Sequence, residues 1–262
     1  TLIDLASARP KAPTSVMNLR NVVPASFLAP RFAAARSTAL FSATLSPHHF
    51  YQETLGLPKA TPWIDVASPF VAEQLSVQVV GTISTRYQHR DRSLDPIVAL
   101  MARQYRERPG NYLAFFSSFD YLQKVLALFQ SRHPDIDVWS QSRGMDEAAQ
   151  EGFLARFAPD SRGIGFAVLG GSFSEGVDLP GSRLIGAFIA TLGLPQINDV
   201  NQQMRARVDA LGKSGYDTIY LYPGMQKVVQ AAGRVIRTQT DTGVVYLIDD
   251  RFARPEVRDL LP

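Results

Sequence analysis

The chain has 262 residues, 45% of them hydrophobic, with 27 Lys and Arg against 24 Asp and Glu for a formal charge of +3. That is globular usage in one large or two modest domains, and it excludes wholesale disorder. The absence of cysteine excludes disulfides, thiol chemistry, iron–sulfur ligation and cysteine-built zinc sites within this chain.

Residues 1–36 carry Pro10, Pro13, Pro24 and Pro30, a spacing that forbids a long helix and reads as a connector, with a short helix near 25–35. The stretch 38–45 reads as a compact strand closed by Ser46-Pro47, and 48–56 as a helix stopped by Gly56. From about residue 94 helices and strands alternate. Ser93 or Asp95 caps a helix with Pro96 in its first turn and Leu94, Ile97, Val98, Met101 and Tyr105 on one face. Pro109-Gly110-Asn111 turns into a strand at 112–116, and Ser118 caps a helix whose stripe is Leu122, Val125, Leu126 and Phe129. A strand at 136–139, a helix at 146–157 and two apolar strands at 163–169 and 184–190 follow. Helices near 198–211 and at 224–237 and a last strand at 244–248 complete the series. Near-continuous apolar strands alternating with helices define an α/β fold, a mostly parallel sheet flanked by helices.

Among the cations, five lysines leave twenty-two arginines, a lopsided usage that suits a phosphate-rich partner and equally a GC-rich genome. The four histidines form neither HExxH nor HxH, so no metal site is expected. No apolar run approaches the ~18–20 residues that span a bilayer, and no signal peptide opens the chain. A soluble, cytoplasmic protein without membrane contact is the expectation. The chain starts at Thr1 rather than Met and reads as a fragment.

Four segments carry chemistry, the last two of one kind. The first is 169–178, Leu-Gly-Gly-Ser-Phe-Ser-Glu-Gly-Val-Asp, after a buried strand, where open α/β sheets place ligand loops. It matches neither a P-loop, nor GxGxxG, nor GxSxG, and leaves a flexible loop ending in Glu175 and Asp178. Those acids are either simply solvated or ligand-facing. The second is the helix at 224–237. At 100° per residue Lys227, Gln230, Arg234 and Arg237 share a narrow arc, with Gly233 as an open notch beside them. No acid dilutes these cations between Asp217 and Asp241. Undiluted like charges repel, so either an anion such as phosphate sits opposite them or the face is merely basic and solvated. The third is Ser42-Ala43-Thr44, hydroxyls at a strand end that commonly serve as turn formers. The fourth is Phe115-Phe116-Ser117-Ser118-Phe119, whose hydroxyls at a helix N-terminus suit an anion or a nucleic-acid phosphate, while N-capping alone accounts for Ser118.

In this order the segments 41–47, 116–119, 170–179 and 230–237 resemble motifs III, IV, V and VI of the XPD/DinG-like superfamily-two DNA helicases, and Asp249-Asp250-Arg251-Phe252 resembles the stretch just after motif VI. The resemblance spans 37–262 and implies a RecA-like lobe, the second of two that clamp ATP and walk on single-stranded DNA, typically 5′ to 3′. It implies that Arg234 and Arg237 reach the γ-phosphate, one as an arginine finger, and that Gln230 senses that phosphate or the attacking water. By the same likeness Asp178 approaches the ribose, Glu175, Gly176 and Gly233 shape the nucleotide side, and Ser42 and Thr44 couple nucleotide state to DNA grip. Ser117, Ser118, Gly171 and Ser172 are the implied DNA contacts. The basic stretch Arg86, Tyr87, His89, Arg90, Arg92 and the helical pair Arg205, Arg207 are either further DNA contacts or solvated surface.

This chain has no GxxxxGK[ST] and no Asp-Glu-Ala-His box, so the resemblance assigns ATP and Mg²⁺ mainly to a first lobe of the same polypeptide. The family's iron–sulfur cluster, where present, also lies upstream. Residues 1–46 are then a connector plus that lobe's last strand, and 47–262 the second lobe. The rival expectation is a non-catalytic nucleic-acid-binding or protein-docking module that retains the fold.

Overall fold

The computed structural model describes residues 2–4, 16–174 and 177–262. Glu175, Gly176 and most of the proline-rich start of the connector lie outside the described residues. The chain divides into two compact units, Thr1–Ile64 with Pro195–Tyr222, and Asp65–Leu194 with Pro223–Pro262.

The larger unit holds a six-stranded sheet of β3 (Leu75–Val80), β4 (Asn111–Phe116), β5 (Val138–Ser140), β6 (Gly163–Val168), β7 (Gly186–Ala190) and β8 (Gly243–Ile248), in the order β3-β8-β7-β4-β6-β5. Every pairing is parallel. Helices α3 (Arg90–Glu107), α4 (Phe119–Arg132), α5 (Glu147–Ala155), α7 (Tyr222–Ala232) and the short α8 (Pro255–Arg258) accompany it. This is the α/β fold that the apolar strand runs imply. β4 and β7 are buried at every position, as strands covered on both faces must be. Tyr112, Phe116, Phe129, Phe166 and Phe188 are fully enclosed. Each such side chain contributes ~1.5–3 kcal/mol relative to leaving it exposed.

Ser118 caps α4 as expected, its hydroxyl accepting from the Tyr121 N–H at 3.3 Å. Three expectations are corrected. Helix α3 begins at Arg90, with Pro96 inside it. Ser93 does not cap it, but donates back to the Arg90 carbonyl at 2.6 Å. Helix α7 ends at Ala232, not at Arg237. The Arg234 and Val235 N–H groups reach back only three residues, to Ala231 and Ala232, so the coil tightens and stops after Gly233. Val235 and Ile236, beyond the end of the helix, are both buried. Strand β3, Leu75-Ser-Val-Gln-Val-Val, had no counterpart in the sequence reading; it lies at the sheet edge with its middle residues exposed.

The smaller unit contains a two-stranded antiparallel ribbon of β1 (Leu2–Asp4) and β2 (Val16–Asn18), and helices α1 (Ala25–Ala34), α2 (His48–Leu55) and α6 (Asp199–Asp209), then a π turn at Asp217–Leu221. Gly56 closes α2 in the left-handed conformation, φ 70°. Lys213 pairs with Glu53 at 2.8 Å, and His49 Nε2 lies 3.0 Å from the Tyr222 hydroxyl. Residues 38–45 are not a strand here. No strand among the described residues pairs with them, and an extended segment without neighbours gains no ladder hydrogen bonds.

Candidate functional site

Parallel register brings strand ends together. Phe116 lies opposite both Val168 and Ala190, so Ser117, Leu169 and Thr191 leave the sheet along one carboxyl edge. That edge is where open parallel sheets bind ligands. Helix α7 starts close beneath it. A Cβ on Gly193, φ 71°, would sit 2.6 Å from the Gly224 carbonyl oxygen, and one on Gly224 2.8 Å from that of Leu192. Only glycines permit this approach, which brings α7 beside the chain leaving β7.

The loop after β6 is anchored at intervals. Phe173 stacks on Phe153 with centroids 4.1 Å apart, Val177 and Leu179 are buried, and the Ser174 hydroxyl accepts from the Gly170 N–H at 2.5 Å. Ser172 stays exposed. Lys227 of α7 lies over this loop: a Cβ at Gly170 would be 3.4 Å from its Nζ.

Although α7 stops before them, Arg234 and Arg237 meet. Arg234 Nη1 and Arg237 Nη2 each donate to the Val177 carbonyl oxygen at 3.0 Å, and Arg234 Nη2 to the Ser174 carbonyl at 3.4 Å. Arg237 Nε also lies 3.3 Å from Asp178 Oδ1, a carboxylate whose side chain is 75% exposed. Arg237 keeps 30% of its side chain exposed, so the pair is not sealed inside. Gln230 is half-buried one turn earlier and its side chain makes no hydrogen bond among the described residues. Two guanidiniums that share one neutral oxygen repel each other. A multivalent anion is the kind of group that accepts several guanidinium N–H groups at once.

The basic stretch before α3 is resolved by its partners. Arg86 is committed to Asp250, with Nη2–Oδ2 at 2.7 Å and Nε–Oδ1 at 3.3 Å. Burial raises the Asp250 carboxyl, but hydrogen bonds from Arg86 and Ser84 outweigh it and hold the group below the usual carboxylate range. Arg90 instead stands at the carboxyl edge, 5.2 Å from the Tyr87 and Tyr121 ring centroids, its Nη2 donating to the Ser117 hydroxyl at 2.8 Å. Tyr87 is 81% exposed. Burial pushes the Tyr121 hydroxyl up to about 12, so it remains protonated and bonds the Ser93 hydroxyl at 2.5 Å.

In the smaller unit the Ser42 and Thr44 hydroxyls lie 3.2 Å apart and exposed, and Tyr51 donates to the Thr44 carbonyl at 2.8 Å. Arg205 faces Asp209 at 3.6 Å. Gly171 and Gly233 border the loop and the end of α7, whereas Glu175 and Gly176 lie outside the described residues. Sequence reasoning missed two buried groups, Asp241 and Asp249. The signal for Asp249 was available, since it opens the segment 249–252. Nothing local marked Asp241 apart from the helix it follows.

Loops thus gather at the carboxyl edge of the parallel sheet, and the Arg234 and Arg237 guanidiniums meet on one of them. Residues 101–262 match the helicase C-terminal domain family, and the chain belongs to it, in the branch of XPD-like helicases. It is 28% identical over 270 residues to the ATP-dependent DNA helicase chl-1 of Caenorhabditis elegans, covering 90% of this chain and 31% of that protein. With the helicase subunit XPD of general transcription and DNA repair factor IIH from Schizosaccharomyces pombe the identity is 26%, over 89% of this chain and 32% of that one. The chain thus spans about a third of the length of these two relatives. A solved XPD helicase superposes with TM-score 0.71 at 19% identity, over 92% of this chain and 44% of its own, so the fold is RecA-like.

Proposed function

We propose that this chain is the C-terminal motor lobe of an ATP-dependent DNA helicase, moving 5′ to 3′ on single-stranded DNA. In this reading the lobe is 47–262, and 1–46 is a connector carrying the last strand of a first lobe in the same polypeptide. The strand partners that 38–45 lacks would come from that lobe. The observation that carries the reading is the convergence of Arg234 and Arg237 on the Val177 carbonyl.

The cationic set fits a nucleoside triphosphate delivered by another lobe: Arg234 and Arg237 share the Val177 carbonyl, Asp178 pairs with Arg237, and Lys227 lies over the same loop at Gly170. Mg²⁺–ATP, when bound, supplies the phosphoanhydride whose cleavage drives movement. Arg234 and Arg237 neutralise charge on its transferred oxygens, a contribution on the order of 10³–10⁵ in rate for an arginine finger. Gln230 orients the water or senses the terminal phosphate. Asp178 exchanges its Arg237 contact for the ribose, beside Glu175, Gly176 and Gly233. An iron–sulfur cluster finds no cysteine ligand in this chain.

For DNA we assign Ser117, Ser118, Gly171 and Ser172 at the carboxyl edge, with Arg90 and the exposed Tyr87 ring beside them and Arg205 on α6. Arg90 takes the place of Arg86, whose guanidinium Asp250 already holds. Ser42 and Thr44 relay nucleotide state to that grip. The test uses the longer protein that carries this chain: Arg234→Ala and Arg237→Ala, with DNA-stimulated ATP hydrolysis and DNA affinity measured together. The reading expects hydrolysis to fall by two orders of magnitude or more at unchanged DNA affinity. Full hydrolysis in both variants refutes it and favours a docking module.

A further inference from the structure

We infer that Asp241, together with Gln74, is a positioning residue for Arg237: its carboxylate fixes the main chain that carries the arginine relative to the loop it rests on. The inference rests on the reading of Arg237 as a nucleotide contact.

The turn that follows α7 is held from two sides by buried side chains. Asp241 is 6% exposed. Its Oδ2 accepts the backbone N–H of Arg237 at 2.7 Å and of Thr238 at 2.8 Å. Its Oδ1 accepts the Thr238 hydroxyl at 2.5 Å and the Gly181 N–H at 3.2 Å. Gln74, 7% exposed, donates from Nε2 to the carbonyls of Thr238 at 3.0 Å and Asp241 at 2.8 Å, while its Oε1 accepts the Val71 N–H at 3.0 Å. Donors of the turn are thus collected by one side chain and acceptors by the other.

The Gly181 bond gives this arrangement its functional meaning. Gly181 follows shortly after Val177 and Asp178, the residues on which the Arg237 guanidinium rests. One carboxylate therefore joins the backbone of Arg237 to the segment its side chain must address. An arginine finger acts only when it is placed to within about an ångström, and a displacement of that size costs on the order of 10²-fold in rate. Both carboxylate oxygens accept two donors each. An asparagine at this position turns an NH₂ toward one of those donor pairs whichever way it faces, so Asp241→Asn displaces the turn with almost no change of volume.

The experiment is a double-mutant cycle in the longer protein: Asp241→Asn, Arg237→Ala and both together, with kcat and KM of DNA-stimulated ATP hydrolysis measured below each variant's melting temperature. The inference expects Asp241→Asn to lower kcat by about 10–100-fold with the KM for DNA within about twofold, and to cost nothing further once Arg237 is alanine. Equal losses in both backgrounds, or a wild-type kcat in Asp241→Asn, overturn it while leaving the arginine reading intact. Wild-type kcat in Arg237→Ala alone sinks the arginine reading and this inference with it. Should Asp241→Asn not fold, Gln74→Met runs the same cycle from the acceptor side, and there a loss of kcat independent of Arg237 overturns the inference.

Discussion

Replacing Asp249 with alanine removes an acceptor that is 0% exposed and engaged by five donor groups. The Thr85 N–H and hydroxyl, and the Arg251 N–H, Nε and Nη2, all converge on it, with Arg251 Nε at 2.6 Å. Arg251 itself has only 16% of its side chain exposed, so the alanine variant leaves a nearly buried guanidinium without its counter-ion. Breaking a buried pair in this way costs ~3–5 kcal/mol. At about 2–4 °C per kcal/mol for a domain of this size, the melting temperature falls by roughly 6–20 °C. Arg86→Ala is the internal control, because the adjacent Arg86–Asp250 pair is about one third exposed on each side and contributes ~0–1 kcal/mol. Thermal and urea unfolding followed by circular dichroism measure both. An Asp249→Ala variant no less stable than Arg86→Ala refutes the reasoning from burial.

A Cβ on Gly243 would collide with Val235 Cγ1 and lie 3.0 Å from the Ile185 carbonyl, so Gly243→Ala loses ~1–3 kcal/mol by urea titration. Gly152, inside α5 with nothing within 4 Å, behaves oppositely, and Gly152→Ala gains ~0.5–1 kcal/mol. Burial raises the Asp241 carboxyl, but the bonds from Thr238, Arg237 and Gly181 outweigh it and hold the group below its ordinary value. Its folded value being the lower, its contribution is present at neutral pH and drains away as pH falls from about 4 toward that value. Asp241→Asn consequently flattens this acid limb of the stability curve, and an unchanged limb contradicts the assignment. For DNA, Arg90→Ala reduces the slope of log affinity against log salt by ~0.7 for single strands, whereas Arg86→Ala leaves it unchanged.

The sequence made the interior of the larger unit legible where local signals and tertiary structure agree. Strand β4 and helix α4 are the clearest instance: an uninterrupted apolar run, a capping serine and a four-residue stripe all specify the same element. Strand β3 went unassigned although Leu75-Ser-Val-Gln-Val-Val alternates apolar and polar residues as a strand does, so there the signal was present and was missed. The end of α7 was hidden for a different reason. Its apolar periodicity continues through Val235 and Ile236, while Asp241, reached only after the turn, captures the N–H of Arg237. The helical wheel thus grouped Arg234 and Arg237 through a geometry they do not adopt, yet the turn still brings their guanidiniums to one carbonyl. That Arg86 pairs with Asp250 while Arg90 reaches Ser117 depended on residues far along the chain, and no local pattern could show it.

The most direct test is a structure of the longer protein bound to single-stranded DNA and ADP with a planar phosphoryl mimic. The account predicts the Arg234 or Arg237 guanidinium within hydrogen-bonding distance of the mimic, with at least one of the two bonds to Val177 released. Both arginines still resting on that carbonyl beside an occupied nucleotide, touching no phosphoryl oxygen, would contradict it.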